Sequence, residues 1–164
     1  MIYLISEQTL KKYSLINDNV DTCYILPAIQ LAQETGLQVL IGSSLLNKLC
    51  EMVENNSLTA DYKKLLDDYI ANYLIYKTMA EIQIPLYGKF RNAGIIQSQD
   101  TQTQQIDLKN IQYLIDYYDY KATFYGNRLT DFLCAYSSKY PEYTKSTKND
   151  IPAQKEDYKT TLNI

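Results

Sequence analysis

The stretch DLKNIQYLIDYYDYKATFYGNRLTDFLCAY, residues 107–136, decides the fold. Leu108, Ile111, Ile115, Tyr118, Ala122, Tyr125, Leu129, Phe132 and Tyr136 recur in steps of three and four that alternate without a break. Such steps place side chains on one helical face, and their alternation sustains a heptad-like seam over roughly four heptads. Asp107 opens the segment, and Pro141 closes it because proline has no backbone donor with which to continue a helix.

Upstream, residues 86–106 break the helical texture. Leu86-Tyr87-Gly88-Lys89-Phe90-Arg91-Asn92-Ala93-Gly94 leads through Ile95 and Ile96 to a Gln-, Ser- and Thr-rich run. That tract is too polar to build a core, so it reads either as a functional arm or as a mobile loop. With Lys89, Arg91 and Asp100 its local charge is +1, short of a basic patch. Lys89-Phe90-Arg91-Asn92 interleaves an aromatic with two cations, a pattern suited to stacking bases and equally to closing a helix on its last carbonyls.

Before the arm, Thr59 caps a segment with Asp61 in its first turn. Tyr62, Leu66, Tyr69, Tyr73, Tyr76 and Ala80 repeat at helical spacing, and Leu65, Ile70 and Leu74 widen the stripe. A helix this broadly apolar packs on more than one side, with Pro85 as its expected terminator. Earlier still, Ser6 caps about two turns through Tyr13. Asp18 or Asn19 starts a segment that runs to Gly36, with a kink or restart expected at Pro27. Gly42-Ser43-Ser44 then interrupts the pattern before a short helix that ends at Asn55-Asn56. The expected fold is all-α: a compact helical bundle with a long arm or loop between the last two long helices and an extended C-terminal tail. The domain expectation is a single helical unit over 1–140, with the arm at 86–106, and an extended or disordered tail over 141–164. That tail carries four basic and four acidic residues and few large aliphatics.

Composition narrows the chemistry. The 164 residues are 46% hydrophobic and 21% charged, with a net charge of -3. A pI near 5.0 argues against a protein dedicated to gripping phosphate backbones. There is no histidine, which removes serine-histidine and cysteine-histidine catalysis together with the commonest transition-metal ligand. Cys23, Cys50 and Cys134 are odd in number and far apart, so they read as small buried apolar residues in a reducing compartment. Met1–Glu7 has neither a basic run nor a long apolar one, so the sequence predicts synthesis in the cytoplasm and no membrane span.

Asp67-Asp68, or Asp116 with Asp119, read as carboxylate pairs for a metal or as solvated helix faces; only the second pair shares a face, and neither has a third ligand at good spacing. The five glycines form no phosphate-binding loop. The expectation is a chain without catalytic residues, metal or cofactor. Seventeen tyrosines against three Phe and no Trp have two readings, a biased coding sequence or a surface wet in one state and buried in another. That many hydroxyls exceed what one small core can satisfy, so some rings must reach the surface.

Four segments carry a family resemblance: Leu26-Pro27-Ala28-Ile29-Gln30-Leu31-Ala32-Gln33; Leu40-Ile41-Gly42-Ser43-Ser44-Leu45-Leu46-Asn47-Lys48-Leu49; Tyr69-Ile70-Ala71-Asn72-Tyr73-Leu74-Ile75-Tyr76-Lys77; and Phe90-Arg91-Asn92-Ala93-Gly94. Over roughly residues 18 to 140 the chain resembles the head-to-tail connector, or adaptor, proteins of tailed bacteriophages, and more closely the neck ring proteins of crAss-like phages. Pro27 and the Gln-rich arm depart from the general connector pattern. The resemblance implies a virion protein made in the bacterial host cytoplasm, assembled as a homo-oligomeric ring, twelve-fold by the family pattern, beneath the portal protein and against other neck or tail proteins. DNA would pass through its lumen without specific binding, and mild acidity suits such a conduit because it repels phosphates. It further implies an arm that contacts the portal or a neighbouring subunit through Lys89, Phe90, Arg91, Asn92, Ile95, Ile96, Gln97, Gln99 and Gln102. The tail would strap onto an adjacent subunit through Tyr143, Ile151, Pro152 and Tyr158. The alternative is a monomeric helical module that captures a partner through a Tyr-rich face.

Overall fold

The computed structural model describes residues 2–16, 20–91, 94–97, 108–144 and 151–153. The fold is all-α, with eight α-helices among the described residues and one short β-hairpin between the last long helices. Helix α1, Glu7–Tyr13, starts where the Ser6 hydroxyl accepts the Thr9 amide at 3.0 Å. The segment before it is pinned by the buried Gln33 amide, which accepts from Leu4 N and donates to Ile2 O, both at 3.1 Å.

Helix α2, Thr22–Leu31, carries Pro27 inside it without an assigned break, where the sequence predicts a kink or restart. It passes through a π turn, Ala32–Leu37, directly into α3, Gln38–Glu54. Gly36 is therefore not the helix stop that the sequence suggests. It is buried, and a Cβ there would lie 2.5 Å from the Tyr73 hydroxyl, so the missing side chain serves close packing. The interruption expected at Gly42 is present: its φ of 79° and ψ of 155° break the helical path inside α3.

Helix α4, Ala60–Leu65, a second π turn, Leu66–Ile70, and α5, Ala71–Glu81, together form the broadly apolar rod that the sequence predicts. It is central: α5 packs against α2, the first π turn and α7, Leu108–Ala135. Pro85 does not terminate the rod as expected. It sits in the first turn of α6, Gln83–Tyr87, where helical amides lack intrahelical partners anyway. Strands β1, Gly88–Arg91, and β2, Gly94–Gln97, then pair antiparallel with Phe90 opposite Ile95.

The seam of α7 departs from its prediction at both ends. Leu108 and Tyr136 are exposed, whereas Ile111, Tyr118, Ala122, Gly126, Leu129 and Leu133 are buried. An α-helix turns every 3.6 residues, so a seam written at 3.5 drifts about 20° per heptad, and the buried row moves from 118 to 126 and 133 rather than 125 and 132. The displaced rings still hold α7 from its flank: Tyr69 stacks on Phe132 at 4.0 Å between centroids, and Tyr76 on Tyr125 at 5.1 Å.

Where described, the C-terminal segment is not the extended tail that the sequence predicts. Pro141–Thr144 form α8, with Tyr140 and Tyr143 buried in the core cluster. The Tyr62 hydroxyl donates to Glu142 Oε2 at 2.6 Å, the Tyr140 hydroxyl to the Asp61 carbonyl at 3.1 Å, and Lys139 reaches the Asp61 carboxylate at 3.0 Å. Few aliphatics did not prevent docking, because two tyrosines supply the apolar area and satisfy their hydroxyls at its edge. Further on, the Ile151 carbonyl accepts the Ser43 amide at 3.0 Å.

One core group is out of place. Thr78 on α5 is fully buried, and its Oγ1 has no hydrogen-bond partner among the described residues. Replacing that hydroxyl by a methyl of similar shape removes a desolvation cost, so Thr78→Val is expected to stabilise by about 1 kcal/mol. Denaturant unfolding at constant slope measures it, and a lower midpoint would contradict it.

Candidate interaction surface

Helix α7 has two faces with different tasks. Its buried row meets α5, while Tyr113, Tyr117, Tyr120 and Phe124 point the other way, 70%, 46%, 70% and 58% exposed. At 100° per residue these four lie on one strip roughly 165° round the axis from the buried row. Their steps of four, three and four repeat the heptad rule on the outside. This second stripe was not singled out in the sequence, although its spacing was legible there; the stronger inner seam shares the same residues' neighbourhood and absorbs the pattern.

Beside the stripe a groove of about 530 Å³ is lined by Tyr13, Leu15, Ile75, Met79, Tyr117 and Tyr118, among others. Tyr13, the last residue of α1, and Leu15, just after it, are 62% and 87% exposed and extend the apolar surface beyond α7. Lys121 lies over the rings of Tyr117 and Tyr120, 5.6 and 5.9 Å from their centroids, on one edge of the stripe. Asp116 marks the other edge and accepts from Gln112 at 2.8 Å.

A second cleft of about 340 Å³ opens where Gly36, Leu40, Tyr73, Lys77, Asp119 and Gly126 meet. Gly126 packs closely there, since a Cβ would approach Leu40 Cδ1 to 3.1 Å and Tyr73 Cε2 to 3.3 Å, tight enough that a neighbour would have to shift by a few tenths of an ångström. The Lys77 ammonium contacts Asp119 at 2.8 Å and Glu81 at 3.2 Å. Burial works against that charge, but the two carboxylates outweigh it and hold the Lys77 pKa above the ordinary lysine value. Burial also pushes the Tyr73 hydroxyl up to about 12 and raises Tyr76, Tyr118 and Tyr140.

These shifts set a pH window. Unfolded tyrosines lose their protons near pH 10, and the folded chain holds them to higher pH. Stability is therefore constant with respect to these groups below about pH 10 and falls as pH rises toward 12. The melting temperature is expected to drop steeply between about pH 10 and 11.5, less so in Tyr73→Phe. An unchanged melting temperature across that range would contradict the burial of these hydroxyls.

The carboxylate pairs do not converge. Asp119 is engaged with Lys77 and Asp116 with Gln112, and no group of three or more metal-ligating side chains occurs among the described residues. Cys23 and Cys134 are exposed and Cys50 partly so, contrary to the expectation that all three are buried. Of the expected arm residues, Lys89, Phe90, Arg91, Ile95, Ile96 and Gln97 fall on the two hairpin strands, while Asn92, Gln99 and Gln102 lie outside the described residues. Of the expected tail contacts, Tyr143 is buried in this chain's own core, and Ile151 and Pro152 belong to the segment that meets Gly42; Tyr158 lies outside the described residues. No helix of the described residues is long and apolar enough to cross a membrane.

Neither a curated protein nor a solved structure matches the chain. A family pattern, described as a family of unknown function (DUF6712), matches residues 37–153, from the start of α3 to the segment at Gly42. The match takes in α7 with its outward stripe and leaves out α1 and Tyr13. The chain belongs to the DUF6712 family.

Proposed function

We propose that this chain is a structural, non-enzymatic subunit of a homo-oligomeric ring at the head-to-tail neck of a tailed bacteriophage, where the ring extends the portal channel for DNA and joins head to tail. The observation that carries this reading is the outward aromatic face of α7. Contiguous apolar patches of that size mark contact with other proteins, and tyrosine is enriched at such contacts. The connector resemblance of residues 18 to 140 supplies the kind of assembly. The hairpin adds to it: two strands are marginal alone in water, and their outer edges are unpaired among the described residues, which suits an arm that pairs with a neighbour. In this reading the partners are further copies, the portal protein and adjoining neck or tail proteins, and DNA passes without specific contacts.

The test is electron microscopy of the purified chain, alone and mixed with the portal assembly of the same genome. Rings, or added density capping the portal, are expected. Featureless particles in both samples would overturn the reading. Deletion of residues 97–105 is expected to leave a folded helical chain that no longer joins heads to tails; unfolding would refute the arm assignment. A monomeric module is the second reading, favoured by the groove of about 530 Å³ beside Tyr13, Leu15 and Tyr117, which could take a partner segment. A chain that stays monomeric at every concentration and holds one partner would select it.

A further inference from the structure

We infer that the outward stripe of α7 is a self-association surface, on which α7 of a second copy packs in parallel about a two-fold axis, Tyr113, Tyr117, Tyr120 and Phe124 meeting their equivalents and Asp116 of each copy facing Lys121 of the other. Three observations lead there. The first is spacing: steps of four, three and four are those of a and d positions in a helix pair, and they lie on the face turned away from the core.

The second is area. The four rings, with Tyr13 and Leu15 beside them, are on average about two-thirds exposed, which at about 200 Å² each leaves roughly 800 Å² open to water. One partner in a standard protein interface contributes about 800 Å². The four rings supply roughly 490 Å² of this and Tyr13 and Leu15 the rest, so a second copy on the stripe reaches that size by also covering the end of α1.

The third is charge. With the stripe at a and d, Asp116 takes the g position on one edge and Lys121 the e position on the other, five residues apart. In parallel helix pairs g of one chain meets e of the other at that interval, so both copies gain an Asp116–Lys121 pair. An antiparallel arrangement sets each edge against its own kind, Asp116 beside Asp116 and Lys121 beside Lys121. Lys121 contacts no carboxylate among the described residues and Asp116 no cation, so each can take an opposite charge, Asp116 through Oδ2 while Oδ1 accepts from Gln112.

The pairing uses the same aromatic face that supports the ring reading, in a different geometry. Subunits of a neck ring all point one way, so a two-fold pair is the state of the chain away from the neck, with its aromatic face covered.

Sedimentation of the full-length chain from about 1 to 100 µM tests it, spanning Kd values near 1 µM and above. A reversible monomer–dimer equilibrium is expected in the wild type. Tyr117→Asp with Tyr120→Asp is expected to weaken it at least a hundredfold while circular dichroism stays helical. Asp116→Lys alone is expected to weaken it about fivefold or more, and Asp116→Lys with Lys121→Asp to restore it to within about threefold, because the pair reverses its sign across the two-fold. A wild type that stays monomeric at 100 µM, or a dimer indifferent to the stripe variants, overturns the proposal. A double charge reversal that fails to rescue overturns the parallel arrangement. A dimer that never caps a portal defeats the ring reading and leaves this one standing; a monomer that does cap one has the opposite meaning.

Discussion

Gly42→Ala is expected to destabilise the chain by about 2–4 kcal/mol and to lower its melting temperature by roughly 5–10 °C. Two independent causes add. A φ of 79° with a ψ of 155° belongs to a region essentially confined to glycine, and any Cβ incurs that strain. The same Cβ would lie 2.8 Å from the backbone nitrogen of Ala153, which is main chain and cannot rotate away. To relieve the overlap the 151–153 segment must lift, and the Ser43 amide then loses its bond to the Ile151 carbonyl. Hydrogen exchange at Ser43 separates the causes, because strain alone leaves that amide protected. A variant that melts within about 1 °C of wild type would show that neither cause operates.

Leu129→Ala is expected to cost about 2–5 kcal/mol, the range for emptying a fully enclosed leucine site. Leu129 has no exposed surface, and it lies in the buried row of α7 between Gly126 and Leu133. Collapse around the cavity is limited, since the close approach of Gly126 to Leu40 and Tyr73 already fixes the spacing of the helices there. Tyr120→Ala, nine residues earlier on the opposite face, is the control: its ring is mostly in water, so urea unfolding of the monomer is expected to change by about 0.5 kcal/mol or less. A Leu129→Ala effect no larger than the Tyr120→Ala effect would mean that the two faces of α7 have been exchanged.

The two faces also show where pattern reading succeeds and fails. The inner seam is legible because a buried row repeats with the helical period, and Ile111, Tyr118, Ala122 and Leu129 are buried as that period requires. It fails at Leu108 and Tyr136, where a helix on a globular body does not supercoil to follow a 3.5-residue repeat. The outer stripe has the same period, and nothing in spacing alone tells a core from an unfilled interface; burial distinguishes them. Gly36 and Pro85 fail for a different reason. Both are strong local stop signals, yet Gly36 gives room to Tyr73, and Pro85 stands in a first turn where its missing amide has no cost. Local propensity is small beside a packed contact, so the neighbour decides.

The described C-terminal residues make the same point over a longer range. Charge balance and scarce aliphatics over 141–164 predict a tail that cannot hold itself folded. What it docks on is 80 residues away at Tyr62 and more than 100 away at Gly42 and Ser43, partners that no window of sequence brings together.

By itself the sequence determined the helical class, the Ser6 cap, the break at Gly42 and the inner row of α7. Each depends on atoms within a turn or two of the residue concerned, where backbone geometry and hydrophobic period act directly. Only the tertiary structure decided which tyrosines stay wet, why two glycines and a proline sit inside helices, and where residues 140–144 and 151–153 lie. Those outcomes depend on contacts between residues distant in the chain, and such contacts exist only once the chain has closed on itself.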